Sequence, residues 1–281
     1  MADPSRRFAR TARRGPAAYV LRVVVAAYLL LLVAWPVSLV VTHTFANGTE
    51  ALTTLLSDPD VVHALQLTAI AAVVATAINA VFGVVVALLL VRTEFPGKRA
   101  LSALLDLPLA VSPIVVGLAL VLVYGGRTGW FGPWLESVGV QVIFSTPGII
   151  LATAFVSLPL VIREVVPVLT EIGTEQEQAA ASLGASGWQV FWRITLPSIR
   201  WAIVYGVVLT LARSLGEFGA VKVVSGNVLG ETRTATLAVE EMYLNFNQQG
   251  AYAIAFLLAS VSVVCIIVVS LLRSRAEKGT S

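Results

Sequence analysis

Charge is what this chain most lacks. Of its 281 residues only 12% are Asp, Glu, Lys or Arg, whereas 57% are hydrophobic. Soluble domains carry about 25% charged residues, so a water-facing surface cannot cover this chain, and a mean hydropathy of +0.87 makes lipid its main solvent. Cysteine is nearly missing too: Cys265 stands alone in an apolar run, which excludes an internal disulfide and leaves packing as its role. His43 and His63 are isolated and lack a third ligand, which argues against a metal site. A phosphate-binding Gly-x-x-x-x-Gly-Lys-Ser/Thr loop is absent, so the chain is not expected to bind or hydrolyse ATP. No nucleophile–base pairing is evident, which disfavours a membrane enzyme and gives no catalytic residues. A net charge of +3 and a pI near 9.2 raise nucleic acid as a partner, but the basic residues stand at the ends of apolar segments, as a bilayer requires.

What is present is a succession of apolar runs. A membrane span needs about 20 apolar residues at 1.5 Å rise each. Six segments qualify, near Val23–Thr42, Val61–Val91, Leu101–Tyr124, Phe144–Val168, Trp201–Val224 and Tyr252–Leu272. The second is long enough to require tilt or an extension beyond the bilayer. The basic start, Arg6-Arg7 to Arg13-Arg14, raises the question of a signal peptide, and Arg6-Arg7 is also a twin-arginine pair. The apolar run that follows is too long for an h-region and lacks a clear cleavage site, so a retained helix is expected. Because spans alternate direction, the N-terminal tail, the Arg92–Arg99 loop, the polar stretch 174–200 and the tail with Arg273, Arg275 and Lys278 share one side. The other loops hold only Arg127 and Arg233 as basic residues. Lys/Arg bias then predicts both termini in the cytoplasm. Asn47-Gly48 and an acidic turn set the first helix apart as a peripheral element beside a five-helix core, and no internal repeat of the secondary-transporter kind is visible.

The polar stretch reads Glu177-Gln178-Ala179-Ala180-Ala181-Ser182-Leu183-Gly184, then nine residues, then Ile194-Thr195-Leu196-Pro197. Thr174 is placed to cap a helix running to Leu183, with Glu175 and Glu177 suited to its positive end. Gly184 is expected to end that helix and Gly187 to permit a second bend, after which Gln189 to Ile194 forms a short helix and Pro197 opens the next span. Trp188 and Phe191 are expected to face outward from the bundle. Composition alone allows two readings, an amphipathic helix on lipid headgroups or a docking element for a soluble partner.

Three features fall inside apolar runs. Arg213 and Glu217 stand at i, i+4, with Arg213 about 18 Å along a helix from Trp201. A lone arginine at the bilayer centre costs about 2.5–3.5 kcal/mol on insertion scales, so the pair either neutralises itself for packing or lines a polar path. Pro108, Ser112 and Pro113 interrupt the third run, either as a packing kink resatisfied by Ser112 or as a break that frees backbone groups. Asn79 is a buried amide suited to holding helices together, and Asp106 lies near the cytoplasmic end.

The Glu-Ala-Ala-x-x-x-Gly-x9-Ile-x-Leu-Pro spacing resembles the coupling motif of permease subunits in ATP-binding-cassette (ABC) importers. Gln178 stands at the motif's glutamate, with Glu177 as its nearest substitute. Ala64-Leu65-Gln66-Leu67-Thr68 with Gly83 looks like the start of a type I importer permease domain. Gly184-Ala185-Ser186-Gly187-Trp188-Gln189, Ile199-Arg200-Trp201-Ala202, Tyr205-Gly206-Val207-Val208-Leu209-Thr210, Gly216-Glu217-Phe218-Gly219-Ala220-Val221 and Gly230-Glu231-Thr232 are similar to the sulfate/thiosulfate permeases. The resemblance covers roughly residues 20–272. It implies an all-α polytopic membrane protein with six transmembrane helices, the type I permease fold and a cytoplasmic coupling helix. Its parts would be a basic tail (1–22), a first helix with external loop (23–60), a permease domain (61–272) with coupling motif 174–200, and a cytoplasmic tail (273–281). It implies sulfate or thiosulfate import through the bacterial inner membrane, with Glu177, Gln178, Ala179, Ala180, Gly184, Ala185, Ser186, Gly187, Trp188 and Pro197 coupling to an ATPase. The implied partners are a CysT-like second permease, a CysA-like ATPase dimer that uses ATP and Mg, and an extracytoplasmic sulfate-binding protein; no cofactor is expected on this chain itself. Molybdate or tungstate import, where the permease pairs with itself, is the alternative within the class, and an ion-coupled secondary anion transporter the alternative outside it.

Overall fold

A computed structural model describes the backbone of residues 16–46 and 48–278 and the side chains of 18–46 and 48–268. The basic residues 6–14, Asn47 and the side chains of Arg273, Arg275 and Lys278 lie outside what it describes. Its described elements are helical. Helices α1 (Pro16–Leu29) and α2 (Trp35–Thr44) run together through a π-turn at Leu30–Ala34, followed by α3 (Glu50–Ser57) and α4 (Pro59–Arg92). Then come α5 (Lys98–Ala110), α6 (Pro113–Tyr124), α7 (Gly132–Ser137), α8 (Thr146–Ser157) and α9 (Pro159–Ile172). The motif supplies α10 (Glu175–Ser182) and α11 (Gly187–Val190), and a π-turn at Phe191–Thr195 leads into α12 (Leu196–Leu215). The chain closes with α13 (Gly219–Val224), α14 (Ala235–Leu244) and α15 (Gln248–Lys278).

Five helical stretches are long and apolar enough to cross a membrane, at Ala18–Thr44, Pro59–Arg92, Thr146–Ile172, Gly187–Leu215 and Gln248–Val268, and α5 with α6 makes a sixth if counted as one span. The first stretch is exposed apart from its end at Thr44 and stands at the edge, touching α15 through His43 on Tyr252 and Phe45 edge-on to Phe256. Helices α4, α8, α9, α12 and α15 form the bundle. Val84, Ala87, Val161, Val165, Leu169, Ile199 and Ala202 fill its motif end, where α4, α9 and α12 meet. At the opposite end Leu55, Val61, Ala64, Ala235, Ala238, Ala253 and Ile254 join α3, α4, α14 and α15.

Two of the six expected spans are not continuous helices. The run Leu101–Tyr124 turns through 114° between α5 and α6. Pro108 does not cause this: it is buried inside α5, which continues past it. The break falls at Val111 and Ser112, both extended, because Pro113 disfavours helical geometry in the residue before it. Ser112 gives α6 no side-chain cap, so the expected repair of the kink by its hydroxyl is not made. The run Trp201–Val224 likewise ends as a helix at Leu215, and Gly216 to Phe218 turn the chain into the short α13.

These two discontinuities pack on each other. A β-carbon on Gly219 would lie 2.9 Å from Cβ of Pro113, and one on Gly117 would lie 2.8 Å from the carbonyl oxygen of Ala220. Glycine at both places lets α6 and α13 approach backbone to backbone. Val116, Leu120, Ala152, Val156, Ala220 and Val224 then seal α6, α8 and α13 together. The two breaks thus form one unit, which holds the end of α12 and its Arg213 in place.

Candidate functional site

At the motif end, α10 is a short helix whose first turn carries Glu175 and Glu177. Thr174 stands at its N-cap position but does not cap it; its hydroxyl instead accepts a bond from Gln178 Nε2 at 2.8 Å. The helix ends at Gly184, whose φ of +87° is the left-handed conformation that favours glycine. Gly184 N–H donates to Ala181 at 3.0 Å and Ala185 N–H to Ala180 at 3.1 Å, the paired bonds of a Schellman close. The second bend falls at Ser186 rather than at Gly187. Ser186 is extended, and it forms a capping box with Gln189 that starts α11 at Gly187.

Beyond α11 the expected short helix and a separate span opening at Pro197 are replaced by one continuous stretch. The π-turn Phe191–Thr195 passes directly into α12, with Pro197 in its first turn, where a missing N–H costs nothing. The wider turn changes which rings face out. Trp188 is 71% exposed as expected, but Phe191 packs partly against the α4–α9–α12 core, and Trp192 is exposed in its place. Trp188, Phe191 and Trp192 form one aromatic cluster with centroids 5.4–6.3 Å apart. With Leu183 at 90% exposure, the motif presents an apolar knob that points away from the bundle.

The base of this knob is clasped to the bundle. Arg92, the last residue of α4, sets Nε 2.9 Å from Glu177 Oε2 and donates from Nη2 to Glu177 Oε1 at 3.1 Å. The same guanidinium donates to the carbonyls of Leu169 at 3.1 Å and Gly173 at 2.8 Å, at the C-terminal end of α9. Thr195 adds its hydroxyl to Glu177 Oε1 at 2.8 Å. The Arg92–Glu177 pair thus joins α4, α9, α10 and the start of α12. Glu177 is therefore not an outward substitute for Gln178: it points inward, while Gln178, Ala179, Ser186 and Gly187 remain on the exposed side. Arg92 and Thr195 carry no local sequence signal that pairs them with Glu177.

Deeper in, Arg213 Nη1 lies 2.8 Å from Glu217 Oε2, as the i, i+4 spacing predicts. The partners are unequal, with the Arg213 side chain 41% exposed and that of Glu217 only 2%. The other carboxylate oxygen of Glu217 accepts from Ala220 N–H at 3.0 Å and so caps α13, and Thr236 of α14 donates to the Glu217 carbonyl at 2.8 Å. Glu217 is thus a structural anchor that holds a cation facing outward. Nearby, Asn79 donates to Ala154 and Ser157, each at 2.9 Å, and Ser214 to Ser157 at 3.3 Å, tying α4, α8 and α12 as the buried amide predicts. Asp106 pairs on the surface with Arg163. Among the described residues no cluster of His, Cys, Asp and Glu could hold a metal ion.

Comparison with known proteins accords with this architecture. Residues 79–278 match the family of binding-protein-dependent transport system inner membrane components. The chain is 47% identical over 248 residues to the sulfate transport system permease protein CysW of Synechocystis, covering 88% of this chain and 90% of that protein. It is 45% identical to the Escherichia coli K12 protein of the same name, covering 90% and 86%. In Synechocystis the permease CysT is 35% identical over 89% of this chain and 87% of its own length. A crystal structure of a bacterial alginate ABC transporter, in complex with an alginate pentasaccharide-bound periplasmic protein, contains a chain of the same fold. Its TM-score is 0.76 at 17% identity, over 92% of this chain and 94% of that one. This chain belongs to the inner membrane permease components of binding-protein-dependent ABC transport systems.

Proposed function

We propose that this chain is one permease half of an importer that carries sulfate or thiosulfate inward across the cytoplasmic membrane. A second, CysT-like permease forms the other half of the pore. A dimeric ATPase, which uses ATP and Mg, docks on the motif end, and an extracytoplasmic binding protein delivers the anion. The observation that carries this reading is the graded similarity within single organisms. Synechocystis has both a CysW and a CysT sulfate permease, and this chain is 47% identical to the first and 35% to the second. Each is its own kind of half, which supports unlike halves over self-pairing. The loop charges support cytoplasmic termini and a motif within reach of an ATPase.

The geometry supplies a route for force. Closure of the ATPase dimer displaces the knob formed by Leu183, Trp188 and Trp192. The Glu177 clasp passes that displacement to α4 through Arg92, to α9 through Gly173 and to α12 through Thr195. Three bundle helices then move as one body, and the pore alternates between two states favoured by different ligand conditions.

Labelled sulfate uptake in cells that carry the full complex tests this. Uptake is expected to vanish when the ATPase is deleted, and to be competed by thiosulfate but not by equal molybdate. Uptake that survives ATPase loss yet fails when the ion gradient is collapsed would make this a secondary transporter. Equal competition by molybdate would move it to the molybdate importers.

A further inference from the structure

Lys222 sits in an otherwise apolar run and belongs to no motif, yet the fold places it in the same cluster as Arg213. The contacts close a ring. Arg213 pairs with Glu217, whose carbonyl accepts from Thr236 of α14. One turn further along α14, Glu240 pairs with Lys222 of α13. Nζ of Lys222 also lies 5.3 Å from the ring centroid of Phe218, the neighbour of Glu217. Both cations are open to the outside of the subunit, Arg213 at 41% and Lys222 at 48%, whereas Glu217 is 2% exposed.

Lipid does not tolerate such a surface. Charges at membrane depth face protein or water, and here two exposed cations follow one another along α12 and α13. Packing does not need them exposed, because Glu217 already anchors α13 through Ala220 and α14 through Thr236. Each cation is held by one carboxylate. A guanidinium has five N–H donors and an ammonium three, so each retains donors for a second acceptor.

We propose that Arg213 and Lys222 form a two-cation subsite for a tetrahedral divalent oxyanion on the face that lines the translocation path. This rests on the permease reading above. Tethering explains how such a subsite passes its ligand rather than keeping it. Glu217 and Glu240 compete for the same donors, so the anion meets attraction weakened at both stations, as conduction requires.

The test uses the assembled transporter in a Cys265→Ser background, with Lys222→Cys or Lys222→Gln added. Lys222 is half exposed, so both substitutions are expected to leave abundance unchanged. Loss of one charged hydrogen bond should lower sulfate uptake about tenfold. A membrane-impermeant thiol reagent should label Lys222→Cys. An aminoethyl adduct, which restores an ammonium, should recover uptake, whereas a sulfonatoethyl adduct should not. Unlabelled Lys222→Cys, wild-type uptake by Lys222→Gln, or equal uptake with either adduct would overturn the subsite. A wild-type complex that takes up no sulfate at all removes the sulfate-permease reading itself. An active parent with an indifferent Lys222→Gln removes only the present inference.

Discussion

Two arginine–glutamate pairs, one at the motif end and one at the end of α12, show how differently the same chemistry is used in this chain. Arg92 and Glu177 are 85 residues apart in sequence, and both are mostly buried, at 16% and 20% exposure. Their contacts bring four elements together. Arg213 and Glu217 are four residues apart across the end of α12, and only the carboxylate is buried. The first pair makes its bonds to other groups of the protein, as a mechanical joint must. The second spends its carboxylate on the protein and leaves its cation outward, as a site for an external anion must. Exposure of the arginine, rather than the presence of an ion pair, separates a joint from a site.

Substitutions that break this contrast should differ in size. Arg92→Ala strands Glu177 and two carbonyls together, and breaking a mostly buried pair costs about 3–5 kcal/mol. Uptake should fall to background, with a clear loss of subunit in membranes by immunoblot. Arg92→Lys keeps the charge but cannot reach Glu177, Leu169 and Gly173 at once, so a loss of about 1.5–3 kcal/mol is expected in thermal melting of the purified complex. Glu217→Gln should cost about 1 kcal/mol, since the amide oxygen still accepts from Ala220. Its uptake kinetics should change more than its abundance, whereas at Arg92 both should fall together. Asn79→Leu is the uncharged reference: it removes an interhelical bond of about 0.6 kcal/mol and should leave the KM for sulfate unchanged. A large KM change there would mean that the buried amide, not the exposed cation, contacts substrate.

Hydropathy made the spans legible, because lipid demands about 20 apolar residues wherever a helix crosses. The two short helices of the polar stretch were legible from its spacing, and the Arg213–Glu217 contact from the four-residue separation. Several features were not legible, each for a physical reason. The 114° turn depends on how α6 nests against α13, a contact between distant segments, so Pro108 and Pro113 looked alike in sequence. An α-helical register points Phe191 outward, but a π-turn needs more residues per turn and shifts the outward position to Trp192. The inward role of Glu177 depends on Arg92, and nothing local to either residue announces the other. Lys222 was hidden by its apolar neighbours, and only Glu240 on another helix shows why it is tolerated.

Transport by this chain is expected to be driven at the motif end, by a separate ATPase seated there. A single cysteine at Ser186, exposed beside Trp188, can be crosslinked in the native assembly after Cys265→Ser. Capture of a nucleotide-hydrolysing subunit, in a yield that changes when ATP is trapped, is the predicted result. Labelling of Ser186→Cys by an impermeant reagent from outside intact cells, with no such subunit captured, would contradict it.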